Sequence, residues 1–154
     1  MKSIRNEAEP TRPQTSEILV IEDDVLQAHE IEVHLGRLGL SVTTLRSGSD
    51  SLHQVASIDP KVCIIDYNLP DIDGMTVTGR VQRLAPNAAV VLMSGRIDFV
   101  PDDILDNYGM VAFFKKPINL SRLRRIVFKL VQNPRLARNE LDSPITRLFL
   151  PGYK

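Results

Sequence analysis

The chain has 154 residues, of which 43% are hydrophobic and 25% are charged, and its 19 basic and 19 acidic residues give a formal net charge of zero. These values are typical of one soluble globular domain and exclude a fibrous or largely disordered protein. Because no apolar run approaches the roughly 18 residues that span a bilayer, and the first residues lack an apolar stretch, we expect a cytoplasmic protein with no membrane segment. The single cysteine excludes a disulfide framework and a cysteine-rich zinc site.

The first 16 residues are polar, contain Pro10 and Pro13, and lack hydrophobic periodicity. They are therefore predicted to form a flexible arm over residues 1–16, followed by one folded domain over residues 17–132. Within this domain, five short apolar and partly β-branched runs have the length and composition of strands. These runs are Ile18–Ile21, Val42–Leu45, Val62–Ile65, Ala89–Met93 and Val111–Phe114.

Segments with the spacing of amphipathic helices lie between these strands. The apolar positions that carry the spacing are Ala28, Ile31, Leu35 and Leu38, then Val77, Val81 and Leu84, then Leu123, Val127 and Leu130. A further short helix is predicted over 101–108, because Pro101 suits a first helical position and Gly109 suits a helix stop. The alternation of strands and helices predicts an α/β fold, with a doubly wound five-stranded parallel sheet and helices on both faces.

Polar residues stand where four of the predicted strands end, which is where ligands bind in sheets of this kind. They are Glu22, Asp23 and Asp24 after the first strand, Asp66 after the third, Ser94 after the fourth, and Lys115 and Lys116 after the fifth. Each alone is better explained as a helix cap or turn residue. Together the carboxylates need a cation, since two like charges 4 Å apart repel by about 4 kcal/mol at an effective dielectric constant of 20. Oxygen ligands without neighbouring histidine or cysteine favour Mg²⁺, and such a site suits phosphoryl transfer to a carboxylate.

Four motifs in this order, ILVIEDD, VCIIDYNLPDIDG, VVLMSG and FFKKP, resemble those of the receiver domains of bacterial two-component response regulators. The resemblance spans residues 17–132 and implies the flavodoxin-like receiver fold. It implies that Asp66 accepts a phosphoryl group from a sensor histidine kinase or a phosphotransfer protein, with Mg²⁺ as cofactor. It also implies a downstream partner protein, whose identity the sequence does not give.

The resemblance extends to the metal ligands. Asp23 is similar to the acid that binds the metal directly, and Glu22 to the acid that acts more through water. Asn68 stands at the position whose backbone carbonyl reaches the metal, and Asp66 itself completes the set.

The resemblance also implies a switch. Ser94 is similar to the switch hydroxyl and Phe113 to the switch aromatic, although Phe113 lacks the hydroxyl of the commoner tyrosine and is also explained as an ordinary strand residue. Lys115 and Lys116 are both candidates for the lysine at the site. Their side chains should point to opposite sides of the strand, so only one of them can reach it. The resemblance favours Lys116, directly before Pro117, and implies a cis bond between them, which only proline makes affordable.

Residues 133–154 are predicted to be a C-terminal extension without a separate output domain, because they are too few for a DNA-binding module. We therefore expect a signalling switch that is not an enzyme and does not bind nucleic acid directly. Two alternatives stay open. One is a phosphatase of the haloacid-dehalogenase type, which requires a second acid where Asn68 stands, and the other is an interaction module that works without phosphorylation.

The charges are unevenly spread, since residues 98–106 hold four acids and no base whereas residues 115–138 hold eight Lys or Arg and no acid. Two solvated faces with local ion pairs, each worth about 0–1 kcal/mol, explain this pattern. A twofold homodimer through the helix over 101–108, the fifth strand and the last helix explains it equally well, because rotation brings acidic and basic patches together.

Overall fold

The computed structural model describes residues 15–95 and 110–133, in which strands and helices alternate. The strands are β1 (Ile18–Ile21), β2 (Val42–Leu45), β3 (Val62–Asp66), β4 (Ala89–Ser94) and β5 (Met110–Lys115). The helices are α1 (Val25–Gly36), α2 (Gly48–Ile58), α3 (Gly74–Leu84) and α4 (Leu120–Gln132). The helix predicted over 101–108, the first 14 residues and the stretch 134–154 lie outside the described residues. Across the described ranges, no helix is both long enough and apolar enough to span a bilayer.

The five strands form one parallel sheet in the order β2-β1-β3-β4-β5, which confirms the predicted doubly wound flavodoxin-like fold. β1 pairs with β2 on one side and with β3 on the other, so the direction of winding reverses at β1. Ile21 is in register with Ile65, which places the residues after β1 beside the end of β3. This is the edge at which ligands bind in doubly wound sheets.

Two apolar layers cover the two faces of the sheet. Alternate strand residues point to opposite faces, so Ile18 and Val20 pack with α1 and α4, whereas Leu19 and Ile21 pack with α2 and α3. All four β1 residues are fully buried, as are Val62, Cys63, Ile64 and Ile65 of β3. The continuous apolar runs of the central strands thus reflect burial on both faces.

Parallel pairing extends three strands beyond their apolar runs. β3 and β4 continue to Asp66 and Ser94, and β5 runs from Met110 to Lys115. Asp66 is in register with Met93, and Ser94 with Lys115. Asp66 and Ser94 are therefore the last residues of strands rather than the first residues of loops, and the sheet ladder fixes their backbones.

Leu84, one of the apolar positions that carry the helical spacing of α3, has a side chain that is 45% exposed. The buried stripe of α3 instead runs through Val77, Thr78 and Val81, and Ala85 continues it directly after the helix. Thr78 is tolerated in this stripe because its hydroxyl donates a hydrogen bond to the carbonyl of Gly74 at 2.7 Å.

Ser16 joins the edge strand and α2 to the start of the fold. Its N–H donates to the Ile58 carbonyl at 3.2 Å, and its hydroxyl lies 2.6 Å from the hydroxyl of Thr43. The neighbouring Glu17 accepts from the backbone N–H of Ser41 and pairs with Lys61. These contacts lie at the amino-terminal ends of the strands, whereas the acidic residues lie at the carboxyl ends.

Gly74 allows α3 to begin directly against the backbone of β3. A Cβ at this position would lie 2.5 Å from Tyr67 Cα and 2.6 Å from the Asp66 carbonyl oxygen, closer than real Cβ contacts allow. We expect Gly74→Ala to lower the free energy of unfolding by about 2 kcal/mol, since rigid backbone must move to admit the methyl group. Urea unfolding of the purified protein measures this loss.

Gly36→Ala is the matched control, because no atom outside its chain neighbours and the nearby backbone of its own helix lies within 4 Å of a Cβ placed at Gly36. Its unfolding free energy should stay within about 0.5 kcal/mol of the wild-type value or rise. Equal losses in the two variants would contradict the proposed steric role of Gly74.

Candidate functional site

Three carboxylates meet at the carboxyl edge of the sheet. One oxygen each from Glu22, Asp23 and Asp66 lies within 4.8 Å of the others. Glu22 is 1% exposed and Asp66 is 3% exposed, whereas Asp23 is exposed to solvent. The Glu22 N–H donates to the Leu45 carbonyl at 3.0 Å, which fixes the backbone directly after β1. Two of the three acids are thus buried in the fold, and the third is exposed at its surface.

Lys116 supplies the positive charge of this cluster. Its Nζ donates to Glu22 Oε2 at 3.0 Å and to Asp66 Oδ2 at 3.1 Å. The backbone N–H of Lys116 donates to the Ser94 carbonyl at 2.9 Å, and the bond to Pro117 is cis, as predicted. Lys115, the competing candidate, is exposed to solvent. The structure therefore brings Lys116, and not Lys115, to the two buried carboxylates.

The cluster contains more acidic groups than basic ones. The pKa of Glu22 is raised to about 7, chiefly by burial and also by the charge of Asp66, against the lowering effects of the Asp24 backbone N–H and of Lys116. Burial by itself lowers the pKa of Lys116, but its bonds to Glu22 and Asp66 outweigh this effect and raise it overall. One ammonium faces three carboxylates, so a further cation would relieve their repulsion.

The residues that flank the cluster are held by backbone hydrogen bonds. The Asn68 N–H donates to Asp66 Oδ1 at 3.2 Å, so the backbone nitrogen of Asn68 lies beside the carboxylate. Asp24, which sequence analysis grouped with the acids after the first strand, instead caps α1 by accepting from the N–H groups of Leu26 and Gln27. Its own N–H donates to Glu22 Oε1 at 3.1 Å.

The two predicted switch residues lie in neighbouring strands. Ser94, at the end of β4, is fully buried. Phe113 in β5 is 1% exposed and is in register with Leu92, in the apolar layer that also contains residues of α2 and α3. The aromatic ring is therefore buried in this conformation, and its role in a switch stays a prediction.

Asp71 is a residue near the site that sequence analysis did not single out. It lies on the loop after β3 and accepts three hydrogen bonds, from the Ser47 hydroxyl at 2.9 Å, the Gly48 N–H at 3.1 Å and the Ser49 N–H at 2.8 Å. These donors precede Asp71 by 22–24 positions. No local spacing pattern signals a helix cap supplied from so distant a part of the chain.

The fold and the acidic edge define a doubly wound α/β protein with a carboxylate–lysine site. The family model described as "Response regulator receiver domain" matches residues 18–128 of this chain. The chain therefore belongs to the receiver-domain family, whose members are signalling modules of two-component response regulators.

Curated relatives match through a part of their length. The chain is 27% identical over 127 residues to the luminescence regulatory protein LuxO of Vibrio campbellii, a match that covers 81% of this chain and 28% of that protein. It is 25% identical over 136 residues to the DNA-binding transcriptional regulator NtrC of Escherichia coli K12, covering 86% and 29% respectively. The chain thus spans less than a third of either relative.

Solved structures share the same fold. The Francisella response regulator 1452 receiver domain superposes with a TM-score of 0.70 at 22% identity, covering 79% of this chain and 100% of that one. A CheY-like receiver domain protein from Methanospirillum hungatei JF-1 gives a TM-score of 0.71 at 19% identity, covering 82% and 98%. At these identities the likeness establishes the fold.

Proposed function

We propose that this protein is a phosphorylatable switch of a two-component phosphorelay, which accepts a phosphoryl group on Asp66 from a sensor histidine kinase or a phosphotransfer protein. The observation that carries the proposal is the Asp66 carboxylate at the end of β3, bonded to Lys116 and grouped with Glu22 and Asp23. A nucleophilic carboxylate, an ammonium and two further acids are the parts that phosphoryl transfer to an aspartate requires.

The donor set suits Mg²⁺, because it consists of hard oxygen ligands and, among the described residues, contains no histidine or cysteine. The carboxylates of Glu22, Asp23 and Asp66 and the backbone carbonyl of Asn68 would hold the ion. When bound, Mg²⁺ would neutralise charge on the phosphoryl oxygens.

In the proposed reaction an oxygen of the Asp66 carboxylate attacks the phosphorus atom and forms a new oxygen–phosphorus bond. The bond between phosphorus and the donor breaks, and the leaving imidazole nitrogen of a phosphohistidine retains the electron pair and takes a proton from solvent. The ammonium of Lys116, 3.1 Å from Asp66 Oδ2, is close enough to move onto a phosphoryl oxygen and offset its charge. The protein is thus the acceptor in this transfer, and we do not propose that it turns over a small substrate.

Phosphorylation adds about 1.5–2 negative charges at neutral pH beside Lys116. We propose that the Ser94 hydroxyl and Lys116 bind this added charge and that the space around Phe113 changes in response. The hydrogen bond from the Lys116 N–H to the Ser94 carbonyl supports this coupling, because it joins the ends of β4 and β5 directly. The changed surface would then bind a downstream protein.

Intact-mass measurement after incubation with acetyl phosphate and Mg²⁺ tests the proposal. We expect the mass of one added phosphoryl group, which chelation of Mg²⁺ before the reaction prevents. Amide spectra of the phosphorylated wild type should differ from those of phosphorylated Ser94→Ala around β4 and β5. Steady hydrolysis of small phosphomonoesters would indicate the phosphatase alternative, and failure to phosphorylate would leave the phosphorylation-independent interaction module.

A cytoplasmic location is part of the proposal. The free thiol of Cys63 is buried in β3, and burial raises its pKa to about 12, so it is inert as a nucleophile at neutral pH. A buried free thiol without a disulfide partner suits a reducing compartment. Direct binding of nucleic acid is not part of the proposed function.

We also propose that the phosphorylated protein forms a twofold dimer through the helix predicted over 101–108, β5 and α4. Within the described residues, α4 exposes Arg122, Arg125, Phe128 and Lys129, while the acidic stretch 98–106 lies outside them. Sedimentation at low and high salt should show a dimer that salt weakens, and Arg122→Glu/Arg125→Glu should shift it to monomer. A monomer under every condition would rule the dimer out.

A further inference from the structure

The exposed Asp71 connects the loop after β3 to the start of α2. Its Oδ2 accepts from the Ser47 hydroxyl and the Ser49 N–H, and its Oδ1 accepts from the Gly48 N–H. The first N–H groups of a helix have no partner within the helix, so a carboxylate at that end satisfies them and also interacts favourably with the helix dipole. Asp71 therefore acts as a second cap of α2, supplied from another loop.

This cap adds to the one that α2 already has. Ser47, the residue before the helix, accepts from the Asp50 N–H at 3.1 Å and leaves Gly48 and Ser49 to Asp71. The N–H of Ser49 contributes most to holding the pKa of Asp71 down to about 2, so the carboxylate is charged throughout the neutral range. The bonds are thus charge-assisted, the stronger class of hydrogen bond.

The loop that Asp71 holds is the one that carries the site. At one end the Tyr67 N–H donates to the Met93 carbonyl, and at the other the Gly74 N–H donates to the Tyr67 carbonyl, each at 2.8 Å. Leu69 is buried between them. In the chain, Asn68 therefore lies between Tyr67, which is bonded to β4, and Asp71, which is bonded to α2. Its own N–H donates to Asp66.

The space beneath this contact is close-packed. A Cβ at Gly48 would lie 2.9 Å from Val77 and 3.4 Å from Leu69, so the first turn of α2 rests directly on the loop and on α3. Asp71 is the polar part of this contact and fixes where the loop sits relative to α2.

We propose that Asp71 is a positioning residue of the site. It would hold the loop over residues 67–73 so that the backbone of Asn68 stays beside the acidic cluster, with its N–H on Asp66 and its carbonyl available to a divalent cation, and so keep the affinity for that cation high. The inference rests on the proposed function, in which the Asn68 carbonyl contributes to Mg²⁺ binding. A ligand set that is correctly placed only part of the time binds more weakly in proportion to that fraction.

Titration with Mg²⁺ alone, followed by amide spectra of the unphosphorylated protein, tests the inference. We expect Asp71→Ala to raise the Mg²⁺ dissociation constant by at least about threefold, corresponding to a correctly placed loop for a third of the time or less. Asp71→Asn should recover part of the affinity, because its carbonyl oxygen still accepts a hydrogen bond. In metal-free protein, the Asn68 amide of Asp71→Ala should exchange with solvent faster than in the wild type.

Asp73→Ala is the matched control. Asp73 lies on the same loop and caps its own helix α3, accepting from the Thr76 N–H at 3.0 Å and the Thr76 hydroxyl at 2.6 Å, without reaching α2. It should lower thermal stability as Asp71→Ala does, yet leave the Mg²⁺ dissociation constant near the wild-type value. Circular dichroism at the titration temperature confirms that every variant is folded.

Two outcomes overturn the inference. In the first, Asp71→Ala loses stability but keeps the wild-type Mg²⁺ affinity and Asn68 exchange rate, which would make Asp71 a helix cap alone. In the second, Asp73→Ala weakens Mg²⁺ binding as much as Asp71→Ala does. Failure of the proposed function is separate, because a wild type that binds Mg²⁺ but accepts no phosphoryl group from acetyl phosphate contradicts phosphorylation and leaves the role of Asp71 in cation binding supported.

Discussion

Asp66→Asn is expected to abolish phosphorylation by acetyl phosphate or by a cognate kinase. The amide has almost the same shape as the carboxylate and can remain at the end of β3, but its oxygen is a far poorer nucleophile. Intact mass after incubation with the donor and Mg²⁺ measures the effect, and no added phosphoryl group should be detected. The site's fold should persist, because the β3–β4 register that holds residue 66 consists of backbone contacts.

The neighbouring acid Asp24 provides the control for this experiment. Asp24→Asn removes a carboxylate of the same sequence cluster, but that side chain caps α1 rather than facing Asp66. It should accept one phosphoryl group as the wild type does. Phosphorylation of Asp66→Asn to the wild-type extent would transfer the acceptor role to another residue and contradict the proposed function.

Lys116→Ala is expected to lower the free energy of unfolding by about 3 kcal/mol in the absence of Mg²⁺, because it leaves two buried carboxylates without their cation. The value is near the low end for buried pairs, since the lysine side chain is 22% exposed. Urea unfolding at neutral pH measures the loss. Addition of Mg²⁺ should restore part of it, because a bound cation again offsets the charges of Glu22 and Asp66.

The loss should depend on pH in a defined direction. The folded pKa of Glu22 is about 7 and thus above its ordinary value of 4.5, so protonation of this group favours the folded state below that range. Removal of Lys116 removes a lowering effect and raises this pKa further. The loss caused by the variant should therefore be greater at about pH 8 than at about pH 5.5, where Glu22 is protonated with or without the lysine.

Lys61→Ala is the matched control for Lys116→Ala. Lys61 pairs with Glu17 at 3.5 Å, but its side chain is 50% exposed and the pair lies at the opposite edge of the sheet. Exposed pairs contribute about 0–1 kcal/mol, so the unfolding free energy should change by no more than that. Equal losses for the two lysines would show that burial does not determine the strength of the Lys116 pairs.

The amino-acid sequence by itself determined the order and type of the strands and the polar residues at their ends. Local composition is sufficient for this, because a strand buried on both faces must be apolar throughout and the first polar residue marks its end. Asp66 and Ser94 were found in this way, although backbone pairing carries both strands one residue further than the apolar runs. The joint order of the motifs then predicted the family, and the match over residues 18–128 confirms it.

Only the tertiary structure decided which of these residues meet. Lys116 lies 94 positions from Glu22 and 50 from Asp66, and although the resemblance favoured Lys116 over Lys115, its bonds to both acids depend on where β5 lies in the sheet. The side chain of Asp24 caps α1, and the side chain of Asp71 caps α2, which begins 23 positions before it. Hydrophobic periodicity reports which face a residue occupies, but the distance between two side chains depends on how the elements pack. The hydrogen bonds of these acids were therefore decided by that packing.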